Sequence, residues 1–123
     1  MSTVHRVNAY RVAGVLEAAY DLDGMTVEII ADGCHIPPTL LKYVLKFKKP
    51  ERIALVTDAM RGAGMPEGPS LLGSGKEAMP CIIEGGVAKL LDRTAFAGSV
   101  ATADRLVRVM ATHTPVGIPG AVR

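Results

Sequence analysis

Apolar and polar positions change period several times along the chain, and each change marks a different element. In "RVAGVLEAAYDL" (Arg11 to Leu22), Val12, Val15, Leu16 and Ala19 recur at helical spacing. "MTVEIIAD" (Met25 to Asp32) is a short β-branched run that breaks at Asp32-Gly33, the pattern of a strand. "PPTLLKYVLKFKK" (Pro37 to Lys49) opens on prolines, which a first helical turn tolerates, and sets Leu40, Leu41, Val44 and Leu45 along one stripe. After Pro50, "RIALVTD" (Arg52 to Asp58) reads as a second, nearly all-apolar strand. Strand, helix, strand predicts a βαβ unit whose two strands run parallel and are covered on both faces.

Beyond Asp58 the pattern shifts. "MPCIIEGGVAKLL" (Met79 to Leu91) predicts a hairpin turning at Gly85-Gly86, with imperfect alternation on either side. "SVATADRLVRVM" (Ser99 to Met110) is helical, with Ala103, Leu106, Val107 and Met110 on one face and Asp104 four residues before Arg108. The tail "THTPVGIPGAVR" is rich in proline and glycine and predicts no closing element. Two strands that each want neighbours on both edges, joined by a single crossover, read as part of a larger α/β object. The expectation is one partial domain over residues 1–123.

Composition narrows the function classes. The chain has 123 residues, 49% hydrophobic and 21% charged, which is a globular balance. The net charge is +2 and no dense basic run interleaves with aromatics, so nucleic acid is a poor partner. Lys42, Lys46, Lys48 and Lys49 cluster where a helix would present a solvated face and its C-terminal end. Cys34 and Cys81 form no CxxC pattern, and free thiols are expected. No apolar run reaches transmembrane length and the first residues lack the apolar core of a secretion signal. A cytoplasmic protein without a membrane partner is the expectation.

Candidate chemistry sits at the strand ends. In α/β architectures, ligands bind beyond the carboxyl ends of parallel strands. The first end delivers "ADGCH", with Asp32, Gly33, Cys34 and His35; the second delivers "TDAM", with Thr57 and Asp58. In a βαβ unit both ends open on one face, so His35 and Asp58 approach one site. An apolar strand that ends on a carboxylate needs a reason, because a buried acid is costly without a partner. Plainer roles stay open: Asp32 closing an Asx turn, Asp58 capping the next turn, His35 as an ordinary loop residue. His113 reads as incidental. Spacing alone names no reaction.

Three stretches in order, "IIADGCHIPPTLL", "RIALVTDAMRGAGMPEG" and "FAGS", resemble N-acetylglucosamine-6-phosphate deacetylases of the amidohydrolase superfamily. The likeness runs from about His5 to Met110 and matches the C-terminal part of a family member. It implies a fragment of a metal-dependent (β/α)8 TIM-type barrel, about its last three strands. Strand six would end in "VHRVNAY", strand seven is "MTVEIIAD", and strand eight is "RIALVTD". A β-hairpin insertion follows the last strand, over about 66–95. The implied reaction is hydrolysis of the acetamide of a phosphorylated amino sugar, giving acetate and glucosamine 6-phosphate.

By the same resemblance Asp58 matches the catalytic aspartate, which takes a proton from metal-bound water and returns it to the leaving amine. His35 matches a substrate-contacting histidine, with Asp32, Gly33 and Cys34 in its binding stretch. Arg11 aligns with the arginine that grips the sugar phosphate, a task guanidinium geometry suits. His5 aligns with a metal-ligand histidine, Asn8 and Ala9 with substrate contacts, and Phe96, Ala97 and Gly98 with a further substrate-lining loop. The implied cofactor is a divalent metal, zinc or iron, whose other family ligands lie upstream of the matched segment. Three readings follow: a deacetylase fragment; a non-catalytic remnant or subunit piece that binds a sugar phosphate or a partner chain; or a self-standing α/β module. In the first two, self-association or a separate N-terminal chain would cover the open strand edges.

Overall fold

A computed structural model describes residues 5–7 and 10–122, with side chains from Val12 to Val122. The elements in chain order begin with β1 (His5–Val7) and β2 (Tyr10–Val12), then α1 (Val15–Asp21) and β3 (Val27–Ile29). α2 (Pro38–Phe47) and β4 (Ile53–Leu55) follow, then a run of strands: β5 (Gly68–Leu72), β6 (Met79–Glu84), β7 (Val87–Leu90) and β8 (Phe96–Gly98). α3 (Ala103–His113) and α4 (Gly117–Ala121) end the chain. The architecture is mixed α/β.

β3 and β4 are parallel, with Val27 opposite Ile53, Glu28 opposite Ala54 and Ile29 opposite Leu55. α2 forms the crossover. Pro38 stands in its first turn, where the missing N–H costs nothing, and Leu41 and Val44 are its buried positions. They pack with Ile29, Ala31 and Met110 of α3 into one core cluster. Val27, Ile53 and Leu55 lean on this cluster from the sheet and Val116 and Ala121 from the C-terminal helical turn.

The second core belongs to an antiparallel sheet in the order β5-β6-β7-β8. Cys81, Ile83, Ala88 and Ala97 are its buried residues, with Met60, Leu72, Leu90 and Val100 packed around them. β6 and β7 join through Gly85 and Gly86, both at positive φ (62° and 74°). Two such residues make the primed turn whose twist matches a hairpin. The two cores meet where Ala59, just after β4, forms a parallel bridge with Ser99, just after β8. The Met60 N–H donates to the Ser99 carbonyl at 2.9 Å.

Several expectations change here. The hairpin at Gly85-Gly86 is present, but as the middle of a four-stranded sheet: Gly68–Leu72 pairs with β6 and Phe96–Gly98 with β7. The "FAG" segment is therefore a strand rather than a loop. Val12 lies in β2, and α1 starts at Val15, because Gly14 occupies the N-cap and its N–H donates to Glu17 Oε2 at 2.8 Å. The tail does close: α4 packs on α3 despite its glycines and proline. Lys48 is buried rather than solvated, its ammonium donating to the Leu22 carbonyl at 2.5 Å and tying the end of α2 to the end of α1.

The third barrel strand expected at the N-terminus has a different arrangement. β1 pairs with β2 antiparallel, His5 opposite Val12, and among the described residues the parallel sheet contains β3 and β4 alone. An apolar groove runs along each flank of this pair. One, of about 390 Å³, lies between β4 and the α3–α4 layer and is lined by Ile53, Leu55, Leu106, Met110 and Val116. The other, of about 470 Å³, lies between β3 and α1, with Val15, Leu16, Tyr20, Val27 and Ile29 in its walls.

Candidate functional site at the paired strand ends

The register of β3 and β4 decides where the polar residues emerge. Ile29 stands opposite Leu55, and the Val56 N–H continues the ladder to the Ile29 carbonyl at 3.1 Å. Asp32 and Asp58 each come three residues later, so both leave the same end of the sheet on neighbouring strands.

Asp32 is buried, and both of its carboxylate oxygens are hydrogen-bonded locally. Oδ1 accepts the backbone N–H of Cys34 at 2.9 Å and of His35 at 2.8 Å, an Asx turn. Oδ2 lies 2.8 Å from His35 Nδ1. Burial pushes the carboxyl pKa up, but the hydrogen bonds from the His35 ring and from the two backbone N–H groups outweigh it and hold Asp32 below its ordinary value. An ionised carboxylate only accepts, so His35 presents Nδ1–H to Asp32 and keeps its Nε2 lone pair as an acceptor when neutral. The His35 ring also lies 5.0 Å from the Phe96 ring, tilted by 59°. Asp32 thus serves the turn and orients the histidine together.

Asp58 differs. It is exposed, takes φ = 44°, and its carboxylate accepts no hydrogen bond among the described residues. Left-handed backbone is uncommon for a side chain other than glycine, although aspartate tolerates it better than most. No capping hydrogen bond to this carboxylate forms among the described residues, and the side chain faces solvent. The next residue, Ala59, is pinned to Ser99, and Ser99 Oγ accepts the Ala101 N–H at 3.1 Å. Three sequence segments therefore converge: 32–35 through Asp32 and His35, 58–60 through the Ser99 bridge, and 96–99 through Phe96 and the same bridge.

The remaining candidates distribute unevenly. Gly33 and Cys34 lie inside the Asp32 turn, and Ala97 is buried in the second core while Gly98 leads to the bridge. Asn8 and Ala9 lie outside the described residues, as do the side chains of His5 and Arg11, whose backbones sit in β1 and β2. Among the described residues no three of His, Cys, Asp and Glu come close enough to hold a metal ion. These residues do not supply a metal site by themselves. No helix among them is long and apolar enough to cross a membrane, and Cys34 and Cys81 are free thiols.

One contributor escaped the sequence reading. Arg105, in the first turn of α3, donates to the Asp32 carbonyl at 2.9 Å and to the Gly86 carbonyl at 2.7 Å, with Cys34 Sγ 3.4 Å away. The available signal was electrostatic: a cation at a helix N-terminus opposes the macrodipole, so it calls for acceptors elsewhere.

No family model matches the chain. Among curated proteins it is 36% identical over 107 residues to an N-acetylgalactosamine-6-phosphate deacetylase of Escherichia coli, 87% of this chain and 27% of that protein. It is 32% identical over 105 residues to the N-acetylglucosamine-6-phosphate deacetylase of Bacillus subtilis, 85% of this chain and 25% of that protein. A further, shorter Escherichia coli relative is covered to 60%. Among solved structures, N-acetylglucosamine-6-phosphate deacetylase from Thermotoga maritima superposes with a TM-score of 0.78 at 32% identity, over 89% of this chain and 29% of that one. A mutant of the Mycobacterium smegmatis enzyme in complex with N-acetyl-D-glucosamine-6-phosphate gives 0.79 at 29%, over 99% of this chain and 30% of that one. The chain is related over most of its length to the N-acetylglucosamine- and N-acetylgalactosamine-6-phosphate deacetylases, and corresponds to a part of those longer proteins.

Proposed function

We propose that the strand-end site takes a phosphorylated N-acetyl amino sugar, and that Asp58 is the acid–base residue of its deacetylation. The observation that carries this reading is the emergence of Asp32 and Asp58 side by side from parallel strands, in a chain related to enzymes of that name. Asp58 would take a proton from the attacking water and return it to the nitrogen as the C–N bond breaks, a role typically worth about 10²–10⁴ in rate. His35, held by Asp32, offers Nε2 to a sugar hydroxyl, and Phe96 supplies an apolar wall beside it. Gly33, Cys34, Ala97 and Gly98 shape the backbone around that wall. Arg11 is the proposed phosphate contact, Asn8 and Ala9 further substrate contacts, and His5 a metal ligand.

Asp58 carries the proton transfers, and a divalent metal, with His5 as its proposed ligand, would supply activation of the water. In this reading β3 and β4 are the last two strands of a barrel and β5 to β8 its inserted sheet. The two apolar grooves are where neighbouring strands would pack, from the same polypeptide or from another.

A second reading has its own support. Asp32 holds the His35 ring at 2.8 Å, and Phe96 stands 5.0 Å from that ring, contacts that suit a ligand. Binding of the sugar phosphate without turnover fits both facts. One experiment separates the two. The purified chain is incubated with N-acetylglucosamine 6-phosphate and a divalent metal, and acetate release and ligand binding are both measured. Acetate release that falls about 10²–10⁴-fold in Asp58→Asn supports the enzyme. Binding without acetate supports the second reading, and neither binding nor acetate refutes the proposal.

A further inference from the structure

The guanidinium of Arg105 touches both the Asp32–His35 loop and the turn of the inserted sheet. It donates 2.9 Å to the Asp32 carbonyl and 2.7 Å to the Gly86 carbonyl, 73 and 19 residues away in sequence. Cys34 Sγ lies 3.4 Å from the same group and 4.0 Å from the Gly85 carbonyl, which closes the junction. Gly86 is fitted to it: with φ = 74°, a Cβ there would stand 2.7 Å from Arg105 Nη1. The site needs such a tie, because its histidine and its aromatic wall come from different cores. Asp32 and His35 follow β3, whereas Phe96 belongs to β8 in the inserted sheet.

We propose that Arg105 is a positioning residue for this site. By bonding both carbonyls it sets the loop against the β6–β7 turn, and so fixes where the His35 ring stands between Asp32 and Phe96. A planar fork suits the task, since one group must reach two acceptors at fixed directions; an ammonium on a flexible stem reaches them less reproducibly. The geometric claim stands on these contacts alone. Its consequence for the ligand rests on the sugar-phosphate reading above.

The test is made on the full chain with isotope-labelled imidazoles, comparing the parent with Arg105→Met, Arg105→Lys and Gly86→Ala. Circular dichroism reports whether each folds. Loss of a hydrogen bond changes a local equilibrium by about 2- to 10-fold. In folded Arg105→Met the ratio of Nδ1–H to Nε2–H tautomer at His35 should fall by that factor, and the His35–Phe96 proton contact should weaken. Arg105→Lys should lie between it and the parent. Gly86→Ala, which displaces the guanidinium while keeping it, should shift His35 the same way. It decides the matter if Arg105→Met does not fold. His35 signals identical to the parent in these folded variants overturn the proposal. N-acetylglucosamine 6-phosphate is then added to the parent. No movement of His35 there, with the Arg105 dependence intact, refutes the ligand reading and leaves the positioning role standing.

Discussion

The parallel pair β3–β4 and the four-stranded sheet β5–β8 solve the problem of burial in different ways. The antiparallel sheet pairs each strand with its sequence neighbour and buries Cys81, Ile83, Ala88 and Ala97 against Met60 and Val100, while Leu71, Met79 and Phe96 stay exposed. Local turns close it. The parallel pair depends on helices: α2 between its strands, and α3 reached only after the whole inserted sheet. Its flanks remain apolar grooves, and it is this pair that carries Asp32, His35 and Asp58. The region that holds the candidate chemistry is the one whose packing is least self-contained. The inserted sheet lends it an aromatic wall and, through Arg105, a brace.

The largest test of that contrast is a pair of core truncations. Leu41→Ala and Ile83→Ala should each cost about 2–5 kcal/mol, one in each core. Amide exchange should then separate them: Leu41→Ala should speed exchange in β3 and β4 while β6 and β7 stay protected, and Ile83→Ala the reverse. Equal loss of protection everywhere in both variants would mean one cooperative unit, and the contrast would fail.

Next in size is Asp32, which belongs to the junction. Asp32→Asn leaves the turn an acceptor but removes the ionised partner of His35, and should cost about 1–3 kcal/mol. The pH dependence has a fixed sign. The folded carboxyl titrates below its unfolded value, so its stabilisation is fully present above the unfolded pKa, about 3.9, and is lost as pH falls through the folded pKa. Urea unfolding of the unsubstituted chain should weaken below about pH 4, and Asp32→Asn should flatten that part of the curve. An unchanged slope in the variant would show that Asp32 is not the group responsible.

The smallest effect concerns Asp58. Its positive φ costs an L side chain something that glycine does not pay, and the carboxylate has no partner among the described residues to lose. Asp58→Gly should therefore leave stability unchanged or raise it by up to about 1 kcal/mol, less whatever glycine costs in unfolded-chain entropy. A drop of several kcal/mol on thermal unfolding would reveal a structural role for a residue assigned here to chemistry.

Much of the parallel unit was legible in the sequence, because period and length carried the signal. Leu41 and Val44 sit on the predicted stripe, and both strands lie inside the predicted apolar runs, ending three residues before the acids. The inserted sheet was half legible. Gly85-Gly86 announces its turn, but β5 and β8 are short, and Gly68, Pro69 and Gly98 disguise them as loop. α4 was missed for a related reason: five residues containing two glycines and a proline have no helical propensity, and contact with α3 supplies what propensity does not. Lys48 read as solvated because a lysine at a helix end usually is; its burial depends on the Leu22 carbonyl, 26 residues away. At the site, the paired strand ends followed from the βαβ pattern. The Arg105 brace did not, since it joins residues that only the tertiary fold makes neighbours.

The most direct measurement is a titration of the labelled chain with N-acetylglucosamine 6-phosphate, followed by the movement of backbone amide signals. The account predicts that residues 32–35, 57–60 and 96–99 move together with one dissociation constant. It would be contradicted if none of the three segments moved, or if the changes fell instead on the apolar groove between β4 and the C-terminal helices.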